Sequence, residues 1–324
     1  MGEGDTTVLF ERIALIGFGL IGSSLARVVR RDGLARHIAV CARTRRTLDT
    51  AVKLGLADSV SLDCLDAVEG ADLVMLCTPL GTYGEIAAAM APRLKKGCIV
   101  SDVGSVKQVV LSEVGERLPD GVHLVPGHPV AGTEQSGPEA GFAELFEGRW
   151  CILTPPPGTD EAAVARLSEL WRRCGSMVEI MEPRHHDEVL AITSHLPHLI
   201  AYTIVNTASD VEGSTRAEVA KYSAGGFRDF TRIAGSDPIM WRDIFLNNRD
   251  AVLEMLQRFT EDLTALQRAI RWGEGATLEA MFRRTREVRQ AVVEAHQAGT
   301  FDPREPEKAG IAPPAPDKTD RPGE

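Results

Sequence analysis

A chain of 324 residues, 44% hydrophobic and 25% charged, is long enough for two domains of ordinary size, and with 5% aromatic side chains its cores must be mainly aliphatic. A net charge of −10 excludes a general affinity for the phosphate backbones of nucleic acids and leaves room only for a local basic patch. No apolar run reaches the roughly 18–20 residues that cross a bilayer, and the acidic opening MGEGDTTVLFE lacks the basic and apolar regions of a secretory signal, so a cytoplasmic protein with neither nucleic-acid nor membrane partner is expected.

From the N-terminus, short β-rich runs at 12–16, 37–42, 73–78, 98–103 and 122–125 alternate with helical patterns at 20–31, 44–55, 82–94 and 106–118. That alternation predicts a parallel sheet covered by helices. Strand-like runs continue at 150–154 and 177–180, around a helix expected over 161–174. From about Pro183 strand signals vanish, and periodic helical segments follow at 187–209, 216–222, 237–272 and 278–297. The expected fold class is therefore α/β: an N-terminal Rossmann-type doubly wound parallel sheet followed by an all-helical C-terminal domain. The boundaries read as 1–182 for a dinucleotide-binding domain and 183–300 for a helical domain. Residues 301–324, with six prolines and few bulky apolar side chains, are expected to be a disordered tail. The six cysteines, Cys41, Cys64, Cys77, Cys98, Cys151 and Cys174, stand singly without a CxxC pair and are expected as buried reduced thiols.

The first strand leads into Gly17-Phe18-Gly19-Leu20-Ile21-Gly22, a GxGxxG motif between an apolar run and a helix. Gly17 permits the tight turn, Gly19 lets a pyrophosphate approach the backbone, and Gly22 lets helix and strand pack closely. An NAD site ordinarily closes its second strand with an acid for the ribose 2′-hydroxyl. Here the strand ends Cys41-Ala42 and runs into Arg43-Thr44-Arg45-Arg46. Guanidinium groups suit a 2′-phosphate, so NADP is slightly favoured over NAD, through Arg43 and Thr44; the bland alternative is the basic first turn of a solvated helix. Two further strand ends, Thr78-Pro79-Leu80 and Asp102-Val103-Gly104-Ser105, are expected to line the nicotinamide end of the same crevice, although Asp102 could instead cap the next helix.

His128 stands between Gly127 and Pro129 in a Gly- and Pro-rich segment. With an ordinary pKa near 6.5 it can take a proton near neutral pH, and a base beside a nicotinamide points to oxidation of an alcohol. His195 and His198, three apart, share one helical face and suit hydrogen bonding to an anionic substrate. No metal is expected: no HExxH-like motif occurs, and the adjacent His185 and His186 diverge. Arg228 and Arg232 lie four apart with Asp229 between them, an arrangement that suits a carboxylate or, more plainly, a surface charge ladder.

Taken together, GFGLIGSS, CTPL, SDVGSVK, GHPVAGTEQSG, TSHLPH and GFRDFTRIAGSDPIMWRDIFLNN resemble the prephenate/arogenate (cyclohexadienyl) dehydrogenase family, over about residues 11–295. The resemblance implies NAD(P)-dependent oxidative decarboxylation of a small-molecule cyclohexadiene, prephenate or arogenate, to 4-hydroxyphenylpyruvate or tyrosine. By that resemblance His128 corresponds to the base that deprotonates the ring hydroxyl, and Ser105 to the serine that binds this hydroxyl and orients the base. Arg232 corresponds to the partner of the ring carboxylate, Asp229 and Trp241 to supports of the pocket, and His198, or else His195, to the histidine near the side chain. Glu134, six residues after His128, would favour arogenate's ammonium if it lies near that side chain. Helical second domains of this family form dimers, so a homodimer through the helical domain is expected. The competing readings are a β-hydroxyacid dehydrogenase-like or pyrroline carboxylate reductase-like oxidoreductase, neither of which needs a histidine between Gly and Pro, and a non-catalytic dinucleotide sensor.

Overall fold

The computed structural model describes residues 8–210 and 225–294. The helix expected over 216–222 and the tail expected over 301–324 lie outside those residues. Six parallel strands, β1 (Phe10–Ile16), β2 (Ala35–Cys41), β3 (Ser59–Ser61), β4 (Leu73–Leu76), β5 (Ile99–Asp102) and β6 (His123–Leu124), form one sheet in the order β3-β2-β1-β4-β5-β6. This order reverses direction between β1 and β4, the point at whose carboxyl ends open α/β sheets form a ligand crevice. The connecting helices are α1 (Leu20–Arg31), α2 (Arg45–Lys53), α3 (Cys64–Val68), α4 (Tyr83–Met90) and α5 (Gln108–Glu113).

Strand alternation explains why the apolar runs are continuous. Ile13, Leu15, Ile38, Val40, Leu73 and Met75 enter one core with α1, whereas Ala14, Ile16, Ala39, Val74 and Leu76 enter a second with α4 and α5. Both faces are thus covered, as parallel sheets require. The first core is closed by α6 (Glu161–Arg173), whose Trp171 is fully buried edge-on to Phe146 at 5.3 Å between ring centroids. Burying such a side chain contributes about 2–3 kcal/mol relative to leaving it in water.

A second, three-stranded sheet runs β7 (Gly127–Pro129), β8 (Trp150–Leu153), β9 (Met177–Ile180), with β7 antiparallel to β8 and β9 parallel to it. Neither β3 nor β7 is legible in the sequence. β7 reads as a turn because it is Gly-His-Pro, and it becomes a strand only by pairing His128 opposite Ile152. Proline is tolerated there because β7 is an edge.

The helical part comprises α7 (Pro183–Leu190), a π-helical turn (Ala191–His195), α8 (Leu196–Ser209), α9 (Gly225–Thr231), a 3-10 turn (Arg232–Gly235), α10 (Pro238–Asn247), α11 (Arg249–Trp272) and α12 (Gly275–Glu294). The single helix expected over 237–272 is broken at Asn248, with φ −106° and ψ 33°. Trp241 and Ile244 of α10 pack into the second core of the sheet. By compactness the chain divides after Gln257; the described residues of the second unit, from Arg258, are helical apart from the turn at Gly273 and Glu274.

Two expectations are corrected. Cys41 and Cys64 form a disulfide with Cα atoms 5.1 Å apart, whereas reduced thiols were expected. The reason is topological: β2 pairs with β3, and the chain leaving β3 brings the first residue of α3 back beside the last residue of β2. Cys98, Cys151 and Cys174 are free and buried, and Cys77 is free and half-buried. Second, the helical stretch Pro183–Ser209 is by length and composition apolar enough to cross a membrane, where no such run was expected. Its His186, Asp187 and His195 are nevertheless fully buried among protein partners, and Asp187 accepts hydrogen bonds from the backbone that opens α5.

Candidate active site

Each glycine of the GxGxxG turn answers to a different constraint. Gly17 has φ +94°, and a Cβ there would lie 2.7 Å from the Cys77 carbonyl and 2.8 Å from Thr78 Cγ2. A Cβ on Gly22 would meet the Gly17 carbonyl oxygen at 2.6 Å. At Gly19 nothing lies within 4 Å, and this residue begins α1 with no side-chain cap. An open space therefore faces uncapped backbone N–H groups at a positive helix end, which fits a pyrophosphate. Phe18 is buried in the core, while Leu20 and Ile21 are half-buried against it.

At the end of β2, Ala42 is buried and Arg43 and Thr44 are exposed. The Thr44 hydroxyl caps α2 by accepting from the Thr47 N–H at 3.3 Å, and Arg45 pairs with Asp49 at 3.4 Å. Arg43 forms no ion pair among the described residues. Across the crevice the Thr82 hydroxyl donates to Thr78 Oγ1 at 2.8 Å, next to Pro79 and the buried Leu80. Gly104 is tightly enclosed: a Cβ there would lie 2.6 Å from Leu80 Cδ2.

Asp102 was expected to line the crevice; it lies behind it instead. It is fully buried, accepting from Lys107 Nζ at 2.5 Å, Gly104 N at 2.8 Å, Gly127 N at 3.1 Å and the Tyr83 hydroxyl at 3.3 Å. Lys107, equally buried, also donates to the Gly127 carbonyl at 2.7 Å. The end of β5 and the start of β7 are thereby locked together by a satisfied buried ion pair. Removing either partner would leave an uncompensated charge at a cost of about 3–5 kcal/mol.

This lock holds His128, whose exposure is 6%. Its Nδ1 lies 2.9 Å from His186 Nε2, and His186 Nδ1 lies 2.8 Å from Asp187 Oδ1. Burial, then the neighbouring His186, Lys107 and His195, push the His128 imidazole well below the ordinary histidine value. His128 is thus a neutral base at pH 7 with one ring nitrogen engaged.

Beside it, His195 sits on the π-helical turn. Asn248 donates through Nδ2 to His195 Nδ1 at 3.0 Å and to the Asp187 carbonyl at 2.8 Å. His195 Nε2 is buried and completes no hydrogen bond, although the nearby Ser105 backbone favours its protonated form; burial dominates and pushes His195 down to about 4. Ser105 itself is half-buried. His198 donates from Nδ1 to the Ser194 carbonyl at 2.9 Å and stacks on Trp241, with centroids 3.7 Å apart and 23° between planes. Burial lowers the His198 pKa, and the Arg232 charge lowers it further. Arg232, half-exposed, pairs with Glu134 at 3.3 Å.

Of the residues singled out in the sequence, the fold brings His128, Ser105, His195, His198, Trp241, Arg232 and Glu134 to one region. Asp229 is on an exposed face, paired with Arg228 at 3.5 Å. Sequence reasoning missed His186, Asp187, Lys107 and Asn248. His185 and His186 enter the sequence reading only as metal ligands, a role not expected of them.

The family model "Prephenate dehydrogenase, nucleotide-binding domain" matches residues 25–180, and "Prephenate dehydrogenase, dimerization domain" matches residues 182–284. A cyclohexadienyl dehydrogenase of Zymomonas mobilis is 44% identical over 288 residues, which is 89% of this chain and 98% of that protein. The crystal structure of a prephenate dehydrogenase from A. aeolicus in complex with hydroxyphenyl propionate and NAD+ is 35% identical with TM-score 0.80, covering 87% of this chain and 98% of that one. A Synechocystis arogenate dehydrogenase structure is 28% identical with TM-score 0.73, covering 86% and 99%.

Proposed function

The chain belongs to the prephenate dehydrogenase family and is an NAD(P)-dependent dehydrogenase of tyrosine biosynthesis, and from that premise we propose that His128 is the base in the oxidative decarboxylation of prephenate, arogenate or both. The β-hydroxyacid dehydrogenase, pyrroline carboxylate reductase and non-catalytic sensor readings are not favoured. The observation that carries the proposal is His128 itself: buried, neutral by environment, with Nδ1 engaged so that Nε2 alone remains for a ligand.

Gly17, Gly19, Gly22 and the start of α1 would hold the dinucleotide, with Thr78, Pro79, Leu80 and Gly104 about its nicotinamide end. Bound there, a nicotinamide supplies the acceptor for the hydride that leaves the ring carbon bearing the hydroxyl. His128 Nε2 takes the hydroxyl proton as that carbon is oxidised, and Ser105 helps to bind the same oxygen. The bond from ring to carboxylate then breaks, its electron pair enters the ring, and carbon dioxide departs. The aromatic ring oxygen takes its proton back from His128, so the base is regenerated within the turnover. Arg232 grips the ring carboxylate as a charged fork, with His198, stacked on Trp241, and His195 beside the side chain.

NADP is the slightly favoured cofactor, through Arg43. A homodimer formed through the helical domain would cover Ile192, Ile204, Ile239, Leu246 and Leu253, all exposed in the single chain. Domain limits of 1–182 and 183–300 and a cytoplasmic location complete the reading.

The test is formation of reduced cofactor with prephenate and with arogenate, each with NAD and NADP, for the wild type and His128→Asn. Loss of about 100-fold or more in kcat with little change in KM is expected for His128→Asn. Near-normal turnover in that variant would overturn the assignment of the base.

A further inference from the structure

A histidine can act as a base only through the ring nitrogen that lacks a hydrogen, so what matters behind His128 is which nitrogen carries its proton. The buried groups in contact with it decide this by elimination. Asp187 accepts from two backbone amides that have no choice of role: Lys107 N on Oδ1 at 2.7 Å and Gln108 N on Oδ2 at 2.9 Å. With an obligatory donor on each oxygen, the carboxylate is built as an acceptor, and the third group on it, His186 Nδ1 at 2.8 Å, must donate. A neutral His186 with hydrogen on Nδ1 has only a lone pair on Nε2. Its contact with His128 at 2.9 Å can then be made in one sense, with His128 Nδ1 donating.

We propose that Asp187 and His186 are positioning residues that set the proton polarity of His128: Asp187 fixes the tautomer of His186, His186 fixes that of His128, and His128 is left with its lone pair on Nε2, facing the reacting hydroxyl. The inference deepens, and rests on, the reading of His128 as the base. In the reverse polarity His128 would present an N–H to the substrate oxygen and donate where it has to accept. When Nε2 takes the hydroxyl proton, the positive charge of the imidazolium is shared along the Nδ1–H···Nε2 contact toward the Asp187 carboxylate, and no proton need leave the trio. The proton returns to the ring oxygen when the ring becomes aromatic.

The groups that face this trio agree with the assignment. From the residue that caps α5 comes Lys107, from β5 Asp102, from β8 the Cys151 thiol, and from the π-helical turn His195. Burial, and then Lys107 against the opposing pull of Asp187 and Asp102, keeps His186 below the ordinary histidine pKa, so the doubly protonated form that would reverse the contact is disfavoured at pH 7. Asn248, bonded to the Asp187 carbonyl at 2.8 Å, fixes the backbone that carries the carboxylate.

The experiment compares His186→Leu, which removes the acceptor, with His186→Gln, whose side-chain carbonyl can accept from His128 Nδ1. Thermal melts and pH profiles of kcat are taken for both, with His128→Asn alongside. The expected result for His186→Leu is a fall in kcat of about 100-fold, KM within about threefold of wild type and a displaced acid limb. His186→Gln should recover at least about tenfold of that loss. Nitrogen-resolved NMR of the wild type should find His128 with its hydrogen on Nδ1, a readout that needs no variant to fold. Wild-type kcat and pH profile in His186→Leu, Gln and Leu variants equally impaired, or His128 carrying its hydrogen on Nε2 would each overturn the relay. If His128→Asn keeps its turnover the base assignment fails; if it loses turnover while His186→Leu does not, the relay alone fails.

Discussion

Arg232 and Glu134, ninety-eight positions apart in the chain, meet as an ion pair with Nη1 and Oε2 separated by 3.3 Å. The guanidinium proposed to grip a substrate carboxylate is thus already held by a carboxylate of the protein. Both side chains are about half exposed, so the pair is a weak competitor, worth at most about 1 kcal/mol. Glu134→Gln removes the competing charge. The same change removes a carboxylate that would favour an ammonium on the substrate side chain. The expected outcome is a rise of about threefold in kcat/KM for prephenate relative to arogenate. Unchanged efficiencies for both substrates would remove Glu134 from substrate choice.

Arg232→Ala separates binding from chemistry. If the fork holds the ring carboxylate equally in the ground state and the transition state, KM rises about 100-fold while kcat changes less than about tenfold. Steady-state kinetics with prephenate make this check, and a loss confined to kcat would give Arg232 a different role. His198 offers an internal comparison, because its ring is held by the Ser194 carbonyl and by stacking on Trp241 rather than by a charge. Trp241→Ala is therefore expected to raise KM through a misplaced His198 and also to lower stability by about 3 kcal/mol, since Trp241 belongs to the core.

How far the sequence foretold this site follows from the kind of signal each residue leaves. The GxGxxG turn is local: Gly17 is demanded by its own φ and by a strand end that must follow a known spacing, so the motif could be read directly. His128 could be found between Gly and Pro, but the strand that carries it could not, because Gly127–Pro129 owes its extended form to pairing with β8. Asp102 was misplaced for a related reason. A carboxylate at a strand end looks the same whether it faces a ligand or turns inward to Lys107, and only the packing of β7 against β5 decides. His186 gave no sign of its role in the sequence, since its partner His128 lies 58 residues away. The Cys41–Cys64 disulfide depends on β3, a strand of three residues that carries almost no pattern.

The proposed preference for NADP is tested at Arg43. Thr44 was expected to help hold a 2′-phosphate, yet its hydroxyl is engaged in capping α2, and Arg45 is paired with Asp49. Arg43 is exposed and is the side chain on which the proposed NADP preference rests. Arg43→Ala should lower kcat/KM with NADP about tenfold and leave NAD within about twofold. A wild-type enzyme that strongly prefers NAD, or an equal loss with both cofactors, would defeat the assignment.

Acid should weaken the fold through its histidines before its carboxylates. His128, His186, His195 and His198 are all held below the ordinary histidine pKa, burial being the first cause in each, and His195 is pushed down to about 4. Each folded-state value lies below the unfolded value of about 6.5, so between the two the unfolded chain binds more protons. Their contribution to stability is complete above about pH 6.5 and is lost as pH falls toward the folded-state values, at up to about 1.4 kcal/mol per pH unit for each group. Asp58 and Asp72 do not confuse this window. In each, burial pushes the carboxyl up, and the hydrogen bond and charge of Arg30 or Lys95 together with backbone N–H donors outweigh it and hold the carboxyl below its usual value, so both titrate at lower pH. Urea melts at pH 7 and pH 5 are expected to show a marked drop in midpoint, and His195→Asn to lessen the drop. A midpoint that stays flat from pH 7 to pH 5 would mean that these rings are not buried in their neutral form.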